Sequence, residues 1–459
     1  MQIDVLVAEI GSTTTLVSAF DNLDSDNPVF IGQGQYKTTV DEDDVTIGLN
    51  KAIEDLKYNI KVDTLEYNDL LATSSAAGGL KMSVHGLVYD MTAKAAKEAA
   101  LGAGSNIKMI TAGELTPLDI IRLQETPINI ILIAGGVDYG EKKTALNNTQ
   151  KILELDLDIP IIYCGNIQNH DDIRFLAKHY GKEDLVTITE NVYPQIDQLN
   201  VEPVRKIIHD TFEKHITKAK GMAHIRESVK DHIIPTPGAV MEAAKILKED
   251  IGDLVVIDVG GATTDVHSVT IGSEDIQRIL INPEPEAKRT VEGDLGLYVN
   301  AQNIFENMNH KQMAQTLDIS METLYDLYEN IKPIPETELE LKFTRLLCEY
   351  ATEVSLQRHA GDFKNLYTIS GQKKMAEGKD LTNVKFVVLT GGALTKLPDT
   401  PQLVEEIMER NSAFKLLPRT GITILKDTDY ILANAGIISR INKKAALNLM
   451  RRSLNVSKD

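Results

Sequence analysis

A chain of 459 residues is long enough for roughly two to four domains around sizeable cores. Its formal net charge of −19 argues against a duplex nucleic-acid binder, which needs clustered Lys and Arg. Two distant cysteines, Cys164 and Cys348, exclude a disulfide framework or a one-chain iron–sulfur cluster and fit a reducing cytoplasm. Asp4 and Glu9 interrupt the first apolar run, and no run reaches the roughly 20 residues of a membrane span, so neither a signal peptide nor a spanning helix is expected.

The chain begins with Val5-Leu-Val-Ala-Glu-Ile-Gly-Ser-Thr-Thr-Thr-Leu-Val17. Apolar residues running into Glu9, then a glycine and three threonines, read as a buried strand, a tight turn and a returning strand. A third strand is expected at 29–35. The acids Asp41-Glu-Asp-Asp44 stand directly before a helical run at 45–58, where carboxylates favour a helix N-terminus. The downstream Glu of a calcium loop is missing. Residues 70–79 read as a buried strand leaving through a loop of small residues. Residues 85–88 read as the next strand, followed by an Ala-rich helix at 91–100. His85 has no partner at metal-ligand spacing and is read as structural.

From about 103 to 195 short apolar runs alternate with helical segments, the rhythm of a small parallel sheet covered by helices. Ala134-Gly-Gly-Val137 lacks GxGxxG and reads as a strand-to-helix turn at the carboxyl edge of that sheet. Residues 104–195 are therefore expected to form an inserted α/β partner-binding domain. A helix at 201–215 follows, and 221–234 carries no decisive pattern. Pro235-Thr-Pro-Gly238 stops the chain before a helix at 239–248, where Gly238, Ala239, Ala243 and Ala244 suit a close crossing.

The central stretch is Val255-Val-Ile-Asp-Val-Gly-Gly-Ala-Thr-Thr-Asp-Val266. It has the design of the first loop: Glu9 matches Asp258, Gly11 matches Gly260, Thr14 matches Thr263, Thr15 matches Thr264 and Val17 matches Val266. A Gly-Gly hairpin alone would look similar. The repetition, however, suggests a pseudo-twofold molecule in which backbone N–H groups meet phosphate oxygens and a carboxylate orients a hydrated divalent cation. Glu292-Gly-Asp-Leu-Gly296 is expected to open a helix at 295–308. Its acids are either caps or groups near metal or the attacking water. Residues 311–360 read as all-helical. Phe386-Val-Val-Leu-Thr-Gly-Gly-Ala-Leu-Thr395 reads as a strand ending in a bend where a nucleoside can lie against bare backbone. A helix at 401–411, a strand at 421–425, a helix from about 430 to 450 and a solvated tail complete the chain.

These three loops, in this order, resemble the ATPase superfamily of actin, heat-shock chaperones and sugar kinases. With Pro235-Thr-Pro-Gly-Ala-Val-Met-Glu242 and Arg289-Thr-Val-Glu-Gly-Asp-Leu-Gly296, the chain more narrowly resembles the MutL/GlmL family, accessory proteins of the adenosylcobalamin-dependent glutamate mutase. The resemblance implies an α/β fold with two actin-like (ribonuclease H-like) halves around a nucleotide cleft. The segments would be 1–103, the insert 104–195, a return with connecting helix at 196–250, and a second half at 251–459. It implies ATP/ADP and Mg²⁺ as cofactors, with Gly11, Ser12, Thr13, Thr14, Gly260, Gly261, Ala262, Thr263, Thr264, Gly391, Gly392 and Ala393 on the nucleotide. Glu9 and Asp258 would hold the metal through water, and Asp265 would orient the attacking water or bond the turn.

Much of the superfamily has Asp where this chain has Glu9, and one extra methylene is enough to affect the rate of hydrolysis. The job implied is ATP-driven release of damaged corrinoid from a glutamate mutase or related aminomutase, with the corrinoid held by the partner, because no DxHxxG motif occurs here. A small-molecule kinase and an actin-like structural ATPase are the two alternatives.

Overall fold

Val5, Leu6, Val7 and Ala8 are all buried, so β1 (Gln2–Ile10) is covered on both faces, as a central strand of an α/β sheet must be. The computed structural model describes residues 1–11, 14–39, 44–75, 80–216, 225, 229, 233–368, 371–412, 415–418 and 421–457. It divides into two units. The first comprises Met1–Glu242, Asn282–Pro285 and Ala433–Ala446; the second comprises Ala243–Ile281, Glu286–Leu432 and Leu447–Asp459.

After β1 the chain forms β2 (Thr14–Asp21), β3 (Val29–Lys37), a helix Val45–Asn59, and β4 (Glu66–Ser74). The helix is capped by Asp44, whose carboxylate accepts from Thr46 N at 2.8 Å; residues 41–43 of that acidic cluster lie outside the described residues. Next come β5 (Leu80–Gly86), β6 (Ser105–Ala112), β7 (Ile130–Ile133), β8 (Ile161–Tyr163), β9 (Val186–Ile188) and β10 (Ile234–Pro235). In the second unit lie β11 (Leu254–Val259), β12 (Thr264–Val269), β13 (Ala287–Glu292), β14 (Asp362–Thr368), β15 (Gly371–Glu377), β16 (Phe386–Thr390) and β17 (Thr423–Lys426).

The two principal sheets have the same order, β3-β2-β1-β4-β10 in the first unit and β13-β12-β11-β16-β17 in the second. In each, three antiparallel strands continue into two parallel ones. Even the registers repeat: Glu9 faces Leu16 as Asp258 faces Asp265. This is the ribonuclease H-like topology of actin-like ATPases, built twice in one chain.

Between β4 and β10 of the first copy the chain forms a five-stranded parallel sheet ordered β6-β5-β7-β8-β9. Counted from its own first strand this is 2-1-3-4-5, one of the common doubly wound orders. It starts earlier than the expected boundary at 104, because β5 pairs in parallel with both β6 and β7 and so sits inside this sheet. Nor is its interior separate. Met82, Val84, Ile130, Leu132 and Ile162 belong to the same apolar cluster as Leu6, Ala8 and Ile10 of the first sheet. His85 is structural: its ring nitrogens meet Thr111 Oγ1 at 2.8 Å and Ser83 Oγ at 3.1 Å, and burial lowers its pKa to about 4.

Where the sequence suggests continuous helix, polar caps divide it. Residues 311–360 form His310–Leu317, Met321–Glu329 and Glu338–His359, the last two started by Ser320 and by a Thr337–Glu340 capping box. The last helical stretch splits into Leu432–Ile438 and Lys443–Ser453. The break falls at Asn442, whose side chain accepts from Ala445 N and donates to Leu23 O.

Candidate functional site

The second glycine loop is a four-residue turn in which Gly260 N–H donates to Thr263 O at 3.0 Å. Behind it runs a segment that pulls each loop carbonyl the same way. Leu297 N–H donates to Gly260 O at 3.1 Å, and Tyr298 and Val299 N–H donate to Gly261 O at 2.9 and 2.8 Å. Asn300 Nδ2 donates to Ala262 O at 2.9 Å. In a planar trans peptide the C=O and the following N–H point in opposite directions. Fixing the carbonyls of 260, 261 and 262 against 297–300 therefore turns the N–H groups of Gly261, Ala262 and Thr263 outward. None of the three meets an acceptor among the described residues. A row of outward N–H groups of this kind is an anion-binding concavity.

The first loop repeats the turn, with Gly11 N–H donating to Thr14 O at 3.0 Å. Here the carbonyl is held by a side chain: Thr38 Oγ1 donates to Gly11 O at 2.8 Å and also meets Thr15 Oγ1 at 3.0 Å. Ser12 and Thr13 lie outside the described residues. Thr264 is not on the open side of its loop, because its buried hydroxyl donates to Leu295 O at 2.7 Å.

The segment 297–300 is the clearest departure from the sequence reading. The helix expected at 295 begins at Ala301, because the N–H groups of 297–299 are taken by the loop. Gly296 is needed in that approach: a β-carbon there would lie 2.3 Å from Ala262 C. The acids ahead of it are not helix caps. Arg358, near the end of the Glu338–His359 helix, bridges Glu292 at 2.7 Å and Asp294 at 2.8 and 2.9 Å. Burial raises the Glu292 pKa, with Arg358 pulling the other way, while the Arg358 hydrogen bond lowers that of Asp294.

Asp258 and Asp265 face each other across β11 and β12. Asp265 is almost wholly buried and both its oxygens are engaged. Arg289 Nε donates to Oδ1 at 2.7 Å, and Thr263 Oγ1 donates to Oδ2 at 3.0 Å. That geometry matches the turn-bonding alternative. Asp258 is half-buried at the carboxyl end of β11, and Glu9 occupies the equivalent place on β1. Among the described residues no three His, Cys, Asp or Glu side chains converge as a metal cage. Single carboxylates acting through water are the mode that suits Mg²⁺, so the oxygen donors present fit that ion.

The third loop follows β16. Gly391 takes φ +83° and starts a short helix, Gly392–Lys396, with Thr395 Oγ1 donating to Gly391 O at 2.8 Å. It joins the second loop in lining a cavity of about 230 Å³ in the second unit. Gly260 and Gly261 line one side, Gly392 and Ala393 another, and Tyr298, Lys332, Ile334 and Lys396 are among the other lining residues. Sequence reading reached both glycine walls but missed these four residues. The signal available was Pro333-Ile-Pro335, which keeps Ile334 outside any helix, and Ile334 stays 53% exposed.

A family model described as MutL protein matches residues 5–454. The chain is 36% identical over 463 residues to Protein MutL of Clostridium tetanomorphum, covering 98% of each. Among solved structures, a nucleotide-free acetone carboxylase superposes with a TM-score of 0.42 and 14% identity, over 95% of this chain and 70% of that one. The nucleotide-free form of a diol dehydratase-reactivating factor gives 0.37 and 12%, over 96% and 99%.

Proposed function

This chain belongs to the MutL protein family, and from that premise we propose that it is an ATP-binding accessory factor for an adenosylcobalamin-dependent glutamate mutase or a related aminomutase. Nucleotide state sets its conformation, and the conformational change releases damaged corrinoid held by the partner. The observation that carries the nucleotide part is the outward row of N–H groups at Gly261, Ala262 and Thr263 beside the Asp258 carboxylate.

In this reading the three N–H groups take phosphate oxygens. The nucleoside occupies the cavity between Gly261 and Gly392, against Tyr298. Asp258 would hold Mg²⁺ through water, and the ion would offset phosphate charge. Asp265 holds Thr263 and thereby the loop, with Arg289 balancing its charge in the buried site. The longer Glu9 side chain makes slow hydrolysis the expected behaviour.

Calorimetric titration with ATP and ADP, followed by retention of cobalamin-loaded mutase on the immobilised chain with ATP, ADP or neither, tests both parts. Micromolar nucleotide binding that is lost in Asp258→Asn, and mutase retention that differs between ATP and ADP, are the expected results. A wild-type chain that binds nucleotide but retains mutase equally in all three states would remove the coupling.

A further inference from the structure

The second unit carries a two-stranded ribbon that the nucleotide site does not use. β14 and β15 form a two-stranded sheet of their own, joined at its base to Leu280 through Ala376 and to Lys415 through Asp362. The ribbon is rooted at its base, where Ala376 packs with Ile276 and Leu416, and Lys415 pairs with Asp362 at 2.9 Å. Beyond that base Phe363, Lys364, Asn365, Gly371, Gln372, Lys373 and Lys374 are exposed. Strands of seven residues reach on the order of 20 Å, far more than closing a small core requires.

Its acids, Asp362 and Glu377, stand at the base, where Glu377 lies 3.6 Å from Lys364, and the part beyond is basic. The protein has 67 acidic against 48 basic residues, yet between Phe363 and Met375 the only ionisable acid or base side chains besides Tyr367 are Lys364, Lys373 and Lys374. Register places Lys364 and Lys373 on one face and Lys374 on the other. Lys374 Nζ sits 3.6 Å from the centroid of the Phe363 ring, which holds both side chains in an ordered, amphipathic pair.

We propose that this ribbon is a docking arm for an acidic protein surface, an inference that rests on the reading of the chain as an accessory factor to a partner enzyme. Charge complementarity selects the occupant. Three lysines on a chain of net charge −19 are too few to displace the counterions of a nucleic acid. An arm of this size makes a small, transient and salt-sensitive interface, below about 1,200 Å². Lysines also discourage strand edges from aggregating, and the experiment separates that role from docking.

Three full-length proteins are compared: wild type, the ribbon variant Lys364→Glu/Lys373→Glu/Lys374→Glu, and a control, Lys143→Glu/Lys178→Glu/Lys311→Glu, with the same change in net charge at exposed positions elsewhere. Each is assayed for nucleotide affinity, for retention of cobalamin-loaded glutamate mutase, and for poly-L-glutamate binding by fluorescence anisotropy, at about 0.05 and about 0.3 M salt. We expect unchanged nucleotide affinity in all three, near wild-type binding by the control, and at least about tenfold weaker binding of both probes by the ribbon variant at low salt. Equal loss in ribbon and control variants, or no loss in the ribbon variant, overturns the proposal. If wild type retains no mutase but poly-L-glutamate binding still depends on the ribbon lysines, the partner reading falls and the docking arm stands. Aggregation of the ribbon variant without loss of either probe assigns the lysines to edge protection and also overturns docking.

Discussion

Gly391 lies directly against Asp258. A β-carbon at 391 would come within 2.4 Å of Asp258 Oδ1 and 2.6 Å of Val259 N, in a backbone conformation of φ +83° that L side chains rarely adopt. The close approach follows from sheet register, since Thr390 at the end of β16 is the parallel partner of Asp258 on β11. A side chain at this point would displace the carboxylate and distort the third loop together. Gly391→Ala is expected to destabilise the second unit by about 1–3 kcal/mol through strain and to weaken nucleotide binding by more than that loss explains. Chemical denaturation and nucleotide titration check it; unchanged affinity would separate Gly391 from the site.

Two arginines hold the second loop, and their burial predicts different consequences. Arg289 and Asp265 are both nearly inaccessible, so Arg289→Ala leaves a buried carboxylate without its partner and is expected to cost about 3–5 kcal/mol. Arg358 is 43% exposed, so Arg358→Ala is expected to cost only about 0–1 kcal/mol. It should nevertheless loosen 292–294 and, through 297–300, the loop carbonyls. Stability near wild type with nucleotide affinity several-fold lower is the expected signature of Arg358→Ala. Equal stability losses in the two variants would contradict the burial argument.

Burial holds His267 and His359 well below the usual histidine range, with Arg289 near the first and Lys288 and Lys379 near the second adding to it. His85 is lowered to about 4 by burial. In each case the unfolded chain binds the proton more readily, so stability rises with pH and is lost as pH falls below about 6.5. The slope reaches about 1.4 kcal/mol per pH unit for each histidine. Urea midpoints at pH 7.5, 6 and 5 should fall steadily below the first value. His267 has no hydrogen-bond partner for either ring nitrogen among the described residues, and His267→Leu should flatten the profile. A wild-type profile level down to pH 5 would contradict it.

Excising 104–195 is expected to unfold the first unit. The cut removes both neighbours of β5 and takes Ile130, Leu132, Ala134, Ile162 and Cys164 out of a core shared with β1. Far-UV circular dichroism and limited proteolysis of the excised chain check this. A folded remnant that still binds nucleotide would show the parallel sheet to be an independent domain after all.

The glycine loops were legible in the residues because they are local objects. A strand, a turn and a returning strand are encoded within about a dozen consecutive residues by apolar runs, glycines and threonines, and the repetition of Glu9-x-Gly11 as Asp258-x-Gly260 gave the pseudo-symmetry. Helix starts at Asp44 and the bend at Gly391 were legible for the same reason. What only the tertiary structure decided depends on partners far away in sequence. β5 joins β6 and β7 because parallel pairing needs long crossovers and leaves no local mark. The N–H groups of 297–299 are drawn from an expected helix to the carbonyls of 260 and 261. Arg358 reaches back to Glu292 and Asp294, and the Lys-bearing ribbon at 362–377 has no alternating apolar pattern to announce it. Local chemistry specified which turns the chain makes; the competition for backbone and charged partners across the fold decided what stands behind them.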